Sequence, residues 1–254
     1  MPKNFFRFLA TIALAVQCVG CAHSKTIRVG LFKDAGVAGK GVPRVTELLG
    51  KTDDIQVTLL SGNEIAAGVL TNFDVVIFTG GSGSKQAASL GEKGRGEVRR
   101  FVREGGGYIG ICAGAYLACS GYSWGVGVLN AKPVSSKWAR GTGDVEIEIN
   151  SKGASLTSLP SGKRDVLYAN GPVIQPGDEK DIPAYESLAF FRTELAKNGT
   201  PEGVMIDSPA LARGSYGKGR VLFSSPHPEQ TRGMDDLIPS AVRWVSGTAA
   251  SASR

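Results

Sequence analysis

The feature that most constrains this chain is a glycine-rich stretch at residues 105–118, GGGYIGICAGAYLA, with a cysteine at its centre. Its first half is a short apolar run, typical of a buried strand, and its second half is predicted to be helical. Gly110 and Gly114 flank Cys112 in the pattern G-x-C-x-G, the cysteine counterpart of the G-x-S-x-G nucleophile elbow. Because the backbone of such a turn is strained, its neighbours must be small. We predict a strand, a sharp turn at Cys112 and a helix whose N-terminal end favours the thiolate.

The chain offers one base for this cysteine. Of its two histidines, His23 lies near the N-terminus, outside any predicted element, whereas His227 follows an apolar strand predicted at 219–223. Glu229 comes two residues later and can point the same way as His227, where it would orient the imidazole. We therefore predict a triad in which Cys112 is the nucleophile, His227 the base and Glu229 the orienting acid.

Strands and helices alternate in the first half of the chain. We predict strands at 26–32, 55–60 and 73–79, followed by the elbow strand, and helices at 42–49, 61–67 and 91–104. Ser61 and Glu64 have the capping-box spacing at the start of the second helix. Repeated strand-then-helix units indicate an α/β fold with a parallel sheet and helices on both faces. In such sheets, ligands bind beyond the carboxyl ends of the strands.

Two loops are predicted to meet Cys112 at that edge of the sheet. Gly80, Gly81 and Ser82 follow the third strand, and glycines there allow the backbone to approach a substrate and expose N–H donors. The alternative is a plain turn between a strand and a helix. Asp34, after the first strand, is placed at the same edge.

The second half of the chain is richer in strands. We predict an irregular segment at 120–142 and a closing helix at 235–245, and the strands between them are expected at 144–150, 165–168, 184–192, 202–207 and 210–216. The irregular segment contains Tyr122, Trp124 and Trp138. These aromatic residues either wall a pocket beside the thiol or belong to the core, and the sequence leaves both alternatives open.

These motifs resemble the class I glutamine amidotransferase-like superfamily, in which a G-I-C-A-G elbow is combined with a distant H-P-E. More narrowly, residues 107–118, 122–125, 216–220 and 227–229 look like the branch of biotin-protein ligase N-terminal-domain-like lipoproteins. The resemblance covers most of the chain after the N-terminal segment. It implies a flavodoxin-like three-layer α/β sandwich with a mainly parallel sheet, a cysteine nucleophile elbow and an added antiparallel β section.

The resemblance also implies roles for further residues. Backbone N–H groups of the loop at 80–82 and of Ala113 would hold an oxyanion, and Asn170 would lie in a turn near the site. Tyr116 stands where glutamine-hydrolysing relatives usually carry a glutamine, so we expect a substrate other than free glutamine. Relatives with cysteine deglycase or chaperone-like activity take an acid from an earlier strand, and residues 26–32 contain no such glutamate.

The N-terminal segment indicates export. Lys3 and Arg7 precede an apolar segment at 8–16 that is too short to span a bilayer comfortably. The Gly20-Cys21 pair after it resembles a bacterial lipoprotein cleavage box.

Lipidation at Cys21 would hold the mature chain at the bacterial cell envelope, on a membrane surface. Cys18 stands where a leucine is usual in the box, and ordinary secretion or an uncleaved anchor are the alternatives. The predicted organisation is a signal peptide at 1–20, a tether at 21–25, one domain at 26–247 and a flexible tail at 248–254.

Composition narrows the function further. The net charge is +6, but the basic residues are scattered, which argues against nucleic-acid binding. With a single histidine outside the N-terminal segment, too few ligands remain for a metal site, and we predict no cofactor. Cys119 is predicted to be a buried small hydrophobe without a disulfide to Cys112.

The favoured function is an enzyme that uses the triad on a small acyl, amide or related substrate, while any protein partner is unknown. The alternative is a non-catalytic ligand-binding or scaffold lipoprotein on the same fold.

Overall fold

The computed structural model describes residues 25–247. The predicted signal peptide, Cys21 with nearly all of the tether, and the predicted tail all lie outside these described residues. Across the described part of the chain, no helix combines the length and the apolar character needed to cross a membrane.

The described residues form eleven strands and six α-helices. The strands are β1 (Ile27–Phe32), β2 (Ile55–Leu60), β3 (Val75–Phe78), β4 (Gly107–Ile111), β5 (Ala131–Pro133), β6 (Thr142–Ile149), β7 (Gly162–Ala169), β8 (Ile174–Pro176), β9 (Glu186–Phe191), β10 (Pro209–Tyr216) and β11 (Gly219–Ser224). The helices are α1 (Gly41–Leu49), α2 (Gly62–Ala66), α3 (Gly83–Arg103), α4 (Ala113–Ala118), α5 (Ser151–Thr157) and α6 (Leu237–Val245). Short 3₁₀ helices cover Val69–Asn72 and Pro228–Gln230.

Nine of these strands form one sheet, in the order β2-β1-β3-β4-β11-β10-β9-β6-β7. The five strands from β2 to β11 pair in parallel, and the remaining four continue the sheet in antiparallel fashion. Strands β5 and β8 pair separately as a small antiparallel ribbon. The predicted α/β class, with a parallel sheet and an added antiparallel section, is confirmed.

Helices cover both faces of the sheet, so the core has two halves. Ile109 of β4 packs on the face covered by α1, α5 and α6, whereas its neighbour Tyr108 packs on the face covered by α2, α3 and α4. Successive residues of a strand point to opposite faces, and a central strand covered on both sides must therefore be apolar throughout. Strand β4 is buried at every position, as this arrangement requires.

The capping box predicted at Ser61 and Glu64 is confirmed at the start of α2. Ser61 N–H donates to Glu64 Oε2 at 2.8 Å, and Glu64 N–H donates to Ser61 Oγ at 3.3 Å, which is the predicted capping box. Helix α3, however, begins at Gly83 and not at the predicted residue 91. Gly91 (φ +63°) is a kink inside this helix, and Ser82 caps the start.

The predicted strand at 202–207 is wrong. Turns and bends occupy this segment, and Gly203 and Asp207 both have positive φ, which an extended strand does not allow. Helix α5 was not predicted at all. It follows directly after β6. The Asn150 side chain caps its start by accepting a hydrogen bond from Gly153 N–H at 2.8 Å.

The end of β7, in the antiparallel section, contacts the segment that follows the parallel strand β11. Strand β7 lies at the far edge of the sheet, yet Leu167 O accepts a hydrogen bond of 2.7 Å from His227 N–H, just after β11. Thr231 strengthens this contact, because its Oγ1 accepts from Leu167 N–H at 3.0 Å. The end of β7 is therefore held against the carboxyl ends of the parallel strands, where the candidate site lies.

Candidate active site

Cys112 occupies a sharp turn between β4 and α4. Its backbone has φ +52° and ψ −100°, a conformation that is strained for a residue with a side chain, and its N–H donates to Ser224 O at 2.9 Å. The flanking glycines are required by close packing. A Cβ at Gly114 would lie 2.1 Å from Phe78 O, and one at Gly110 would lie 2.4 Å from Gly114 O. The turn predicted from G-x-C-x-G is therefore present at Cys112.

His227 follows β11 and is buried together with Glu229. The His227 Nδ1–H donates to Glu229 Oε1 at 2.8 Å, and the Gln230 side-chain amide donates to the same oxygen at 2.9 Å. This assignment of the tautomer leaves Nε2 as the ring nitrogen available to Cys112, whose interaction with the imidazole raises the pKa of His227. The three residues predicted as a triad are thus brought together.

The charge state of His227 is set by these two partners. Burial acts to lower the pKa of His227, but the hydrogen bonds and charges of Cys112 and Glu229 outweigh it and raise that pKa to about 10. An imidazole paired with a Cys112 thiolate is therefore protonated at neutral pH. Glu229 is completely buried, and its Oε2 has no hydrogen-bond partner within residues 25–247.

The Cys112 thiol has a second partner at the end of β7. Its Sγ lies 3.3 Å from Ala169 O, to which it donates a hydrogen bond. Only the neutral thiol can donate, because a thiolate has no proton. The site therefore offers one partner to each protonation state of Cys112, with Ala169 O suited to the thiol and the His227 imidazolium suited to the thiolate.

The glycine loop after β3 approaches the site closely. A Cβ at Gly80 would lie 2.7 Å from His227 Cε1, so this glycine leaves room for the imidazole. Gly81 has φ +134°, and a Cβ there would lie 2.0 Å from Gly36 O. Among residues 25–247, no turn or loop hydrogen bond uses the N–H of Gly81 or Ala113.

Ser82 differs from Gly81 in this respect. Its N–H donates to Gly36 O at 2.7 Å, and its Oγ accepts from Lys85 N–H at 3.4 Å as the cap of α3. The Ser82 N–H is therefore already bonded and is not available to an oxyanion.

A cavity of about 390 Å³ opens beside Cys112 and His227. Tyr116 lies in its wall, where its hydroxyl donates to Asn170 O at 3.2 Å, and burial raises the pKa of Tyr116 far above its usual value. The rest of the lining includes the predicted residues Gly80, Gly81, Ser82 and Asn170 and the aromatic residues Tyr122, Trp124 and Trp138. Sequence reasoning missed Leu167, Ala169 and Gln230, of which only Gln230 had a signal, its position next to Glu229.

The three aromatic residues whose role the sequence left open, Tyr122, Trp124 and Trp138, line this cavity. Tyr122 and Trp124 stack with ring centroids 4.4 Å apart and also pack against the core, so they serve both purposes. Trp138 is 58% exposed.

Asp34, by contrast, does not line the cavity beside Cys112. Its carboxylate accepts from the N–H groups of Gly62 and Ala35, at 2.8 and 2.7 Å, and these bonds lower the pKa of Asp34. Asp34 therefore holds loops together. In the described part of the chain, no three His, Cys, Asp or Glu side chains gather as a metal would need.

Comparison with known families gives one partial match. The family model described as "Biotin-protein ligase, N terminal" matches residues 56–138, which include α3, β4 and the Cys112 turn. No curated protein matches the chain significantly.

Solved structures match over nearly the whole described domain. A ThuA-like protein from Parabacteroides merdae has 14% sequence identity and a TM-score of 0.58, covering 91% of this chain and 93% of that one. A ThuA-like protein from Bacteroides uniformis has 17% identity and a TM-score of 0.55, with 88% and 93% covered. A cytoplasmic protein from Salmonella typhimurium has 12% identity and a TM-score of 0.56, with 86% and 98% covered. At these identities the likeness shows a shared α/β fold.

Proposed function

We propose that this chain is a cysteine-dependent, amidotransferase-like or hydrolase-like enzyme that acts on an acyl, amide or related substrate. The observation that carries the proposal is the arrangement around His227, which is hydrogen-bonded to Glu229 and lines an open cavity together with Cys112, the residue whose interaction raises the pKa of His227. The partial match to the biotin-protein ligase N-terminal family and the fold shared with ThuA-like proteins agree with a relationship to class I glutamine amidotransferase-like proteins.

The reaction proceeds through an acyl-enzyme. The Cys112 thiolate attacks the substrate carbonyl carbon, and the oxygen that becomes negative is held by the N–H groups of Gly81 and Ala113. The His227 imidazolium gives its proton to the leaving nitrogen or oxygen as the carbon bond to that atom breaks. The neutral imidazole then takes a proton from water, whose oxygen attacks the thioester and releases the acid and the thiolate. Glu229 keeps the imidazole oriented throughout.

Free L-glutamine is not the substrate of this site. The position that usually carries a glutamine residue in glutamine-hydrolysing relatives holds Tyr116, whose hydroxyl is already bonded to Asn170 O. A bulkier ring there changes the shape of the cavity, and a site that cannot bond its substrate loses orders of magnitude in specificity. Ammonia release from glutamine at about 1 s⁻¹ or faster, abolished in Cys112→Ala, would contradict this statement.

Selective alkylation of the thiols tests the proposal. Iodoacetamide is added to the folded protein at pH 7, and labelling is followed peptide by peptide with mass spectrometry. Cys112 should be alkylated rapidly because a thiolate is the reactive form, whereas Cys119, completely buried and with its pKa raised by burial to about 12, should stay unlabelled until the protein is unfolded. If Cys112 is as inert as Cys119, the enzyme proposal fails.

A non-catalytic ligand-binding or scaffold lipoprotein is the second candidate. It is favoured by the hydrogen bond from Cys112 Sγ to Ala169 O, which stabilises the unreactive thiol. Inert Cys112 in the alkylation experiment, together with saturable binding of a small molecule in the cavity, would support this candidate over the enzyme.

Attachment to a membrane through Cys21 is a separate proposal, which rests on the N-terminal sequence alone. Radiolabelled palmitate should enter the wild-type chain expressed in a bacterium and should not enter Cys21→Ala. Equal labelling of the two proteins would contradict lipidation at this residue.

A further inference from the structure

Four aromatic side chains, those of Tyr116, Tyr122, Trp124 and Trp138, line the cavity beside Cys112. Tyr122 stacks on Trp124 with an angle of 24° between the rings, and Tyr116 lies 6.2 Å from Tyr122, measured between ring centroids. Trp138 lines the same cavity and is 58% exposed, although large apolar side chains are normally buried. A flat apolar group that enters the cavity covers exposed indole surface and stacks on rings that are already in place.

The second feature of the cavity wall is the lack, in the described part of the chain, of acidic and of Lys or Arg side chains. Within residues 25–247, no Asp, Glu, Lys or Arg lines the cavity, and Cys112 and His227 form its one ionisable pair. A cationic group placed among the rings would lose its water without gaining a counter-ion, which is costly. An amino acid, with an ammonium and a carboxylate to be matched, is therefore a poor fit to this cavity.

Several polar groups of the wall already have partners. Asn170 Oδ1 accepts from Gly141 N–H at 2.7 Å, the Tyr116 hydroxyl donates to Asn170 O, and Ser82 Oγ accepts from Lys85 N–H. A carbohydrate brings several hydroxyl groups, each of which needs a partner when it leaves water. A sugar hydroxyl would have to replace bonds such as these, whereas a flat apolar ring stacks on the aromatic faces without replacing any, so the ring fits the wall better than a sugar.

A cation is disfavoured despite the aromatic rings. Gly83 and Ser84, the first two residues of α3, line the cavity, so the positive end of this helix dipole faces it. The protonated His227 lies at the same cavity, and a substrate cation would be close to both. These positive charges oppose the attraction that aromatic rings otherwise exert on a cation.

We infer that the substrate is an uncharged amide or ester that carries a flat apolar ring, held by Tyr122, Trp124 and Trp138 while its carbonyl group meets Cys112. This inference rests on the proposed function, because it specifies the substrate class of the same thiol. It also accounts for the exposure of Trp138, because the bound substrate covers the indole ring.

The test compares two alkylating probes on the full chain. Iodoacetamide and N-phenyliodoacetamide react in the same way, with the thiolate displacing iodide as the S–C bond forms, but one of them carries a flat ring. Each rate at Cys112 is divided by the rate of the same probe with glutathione, which corrects for intrinsic reactivity. We expect the corrected rate to be at least about tenfold higher for the phenyl probe, as burial and stacking of one ring should give.

Variants locate the ring-binding surface. Trp138→Ala and Trp124→Ala should bring the ratio of the two corrected rates towards one. Trp244→Phe is the matched control, because the Trp244 ring packs under the guanidinium groups of Arg213 and Arg220 and lies outside the cavity. This variant should keep the wild-type ratio.

Each contrary outcome identifies which statement is wrong. A ratio of one, with rapid iodoacetamide labelling of Cys112, overturns the substrate class and leaves the proposed function standing. No labelling of Cys112 by either probe overturns both. Phenyl probes with a carboxylate or trimethylammonium group on the ring should react more slowly than the neutral probe, and equal or faster reaction contradicts the uncharged substrate. A faster corrected rate for N-iodoacetylglucosamine than for the phenyl probe would point to a carbohydrate and overturn the inference.

Discussion

The two ends of helix α4 each carry a cysteine, and they make very different environments. Cys112 precedes the first turn in a strained conformation, while Cys119 follows the last turn in an extended one. Burial does not separate them, because Cys112 is only 6% exposed and Cys119 is fully buried. What separates them is the partner. Cys112 contacts His227 and Ala169 O, whereas the Cys119 thiol donates to Ala115 O at 3.3 Å, a carbonyl of its own helix.

The two cysteines show that the reactivity of a thiol depends on the groups that the fold places next to it. Apolar surroundings without a cation raise the pKa of Cys119 to about 12, because the charged form is not solvated there. The carboxyl ends of β4 and β11 lie side by side and bring a protonated imidazole to Cys112.

Removal of the imidazole should have the largest effect. In His227→Gln, the rate of iodoacetamide labelling at Cys112, measured at pH 7, should fall at least about tenfold, because the thiolate loses its cation. Circular dichroism and a thermal melt establish that the variant is folded. An unchanged rate in the folded variant would mean that the two side chains do not act together.

Removal of the thiol should change the titration of His227. In the wild type, NMR of the imidazole should give a pKa of about 10, and in Cys112→Ser the pKa should shift towards the ordinary value of 6.5, because the thiolate partner is lost. The sign follows from linkage. A raised folded-state pKa stabilises the fold fully below pH 6.5, and this contribution is lost as the pH rises through about 10. The His23→Ala variant assigns the signals, and a wild-type midpoint near 6.5 would contradict the paired state.

A side chain at Gly80 should disturb the pair without removing either member. The new Cβ of Gly80→Ala would lie 2.7 Å from His227 Cε1 and must displace the ring, so labelling of Cys112 should slow by about fivefold. Gly96→Ala is the matched control. It lies in α3 with open space around its Cβ, and it should leave labelling unchanged and stabilise the fold by about 0.5–1 kcal/mol. Equal labelling in the two variants would show that the imidazole position is not critical.

Substitution of the other cysteine should have the smallest effect on reactivity. Cys119→Ser keeps the size of the side chain and the bond to Ala115 O, so the labelling rate of Cys112 should not change. The free energy of unfolding, measured with urea, should fall by about 1 kcal/mol because a more polar group is buried. Slower labelling of Cys112 in this variant would mean that the two ends of α4 are coupled.

Much of the site was predictable because its signals are local. A cysteine in a tight turn needs small neighbours, and the sequence has glycine on either side, at Gly110 and Gly114, where a Cβ would clash. His227 and Glu229 are two residues apart, so the pairing of their side chains could be inferred from spacing. Whether these residues perform catalysis stays a prediction.

The errors in the fold come from segments whose local signals conflict. Gly91 suggested the start of a helix, but α3 tolerates it as a kink because packing of Leu90 and Val98 fixes the helix on both sides. Residues 202–207 include a short apolar run, and Asp207 N–H donates to Phe191 O of β9 at 2.9 Å, but the positive φ of Gly203 and Asp207 makes turns of this segment. A short apolar pattern alone does not reveal such φ values.

The elements that build the parallel sheet, and the order in which Cys112, His227 and Glu229 follow their strands, are encoded in local sequence patterns. Periodicity, caps and glycines depend on neighbours along the chain, and they can be read there. The position of β7 is different: this strand lies at the far edge of the sheet, yet it places Ala169 O 3.3 Å from the Cys112 thiol and Asn170 beside Tyr116. This arrangement depends on contacts between residues more than fifty positions apart, which no local pattern encodes.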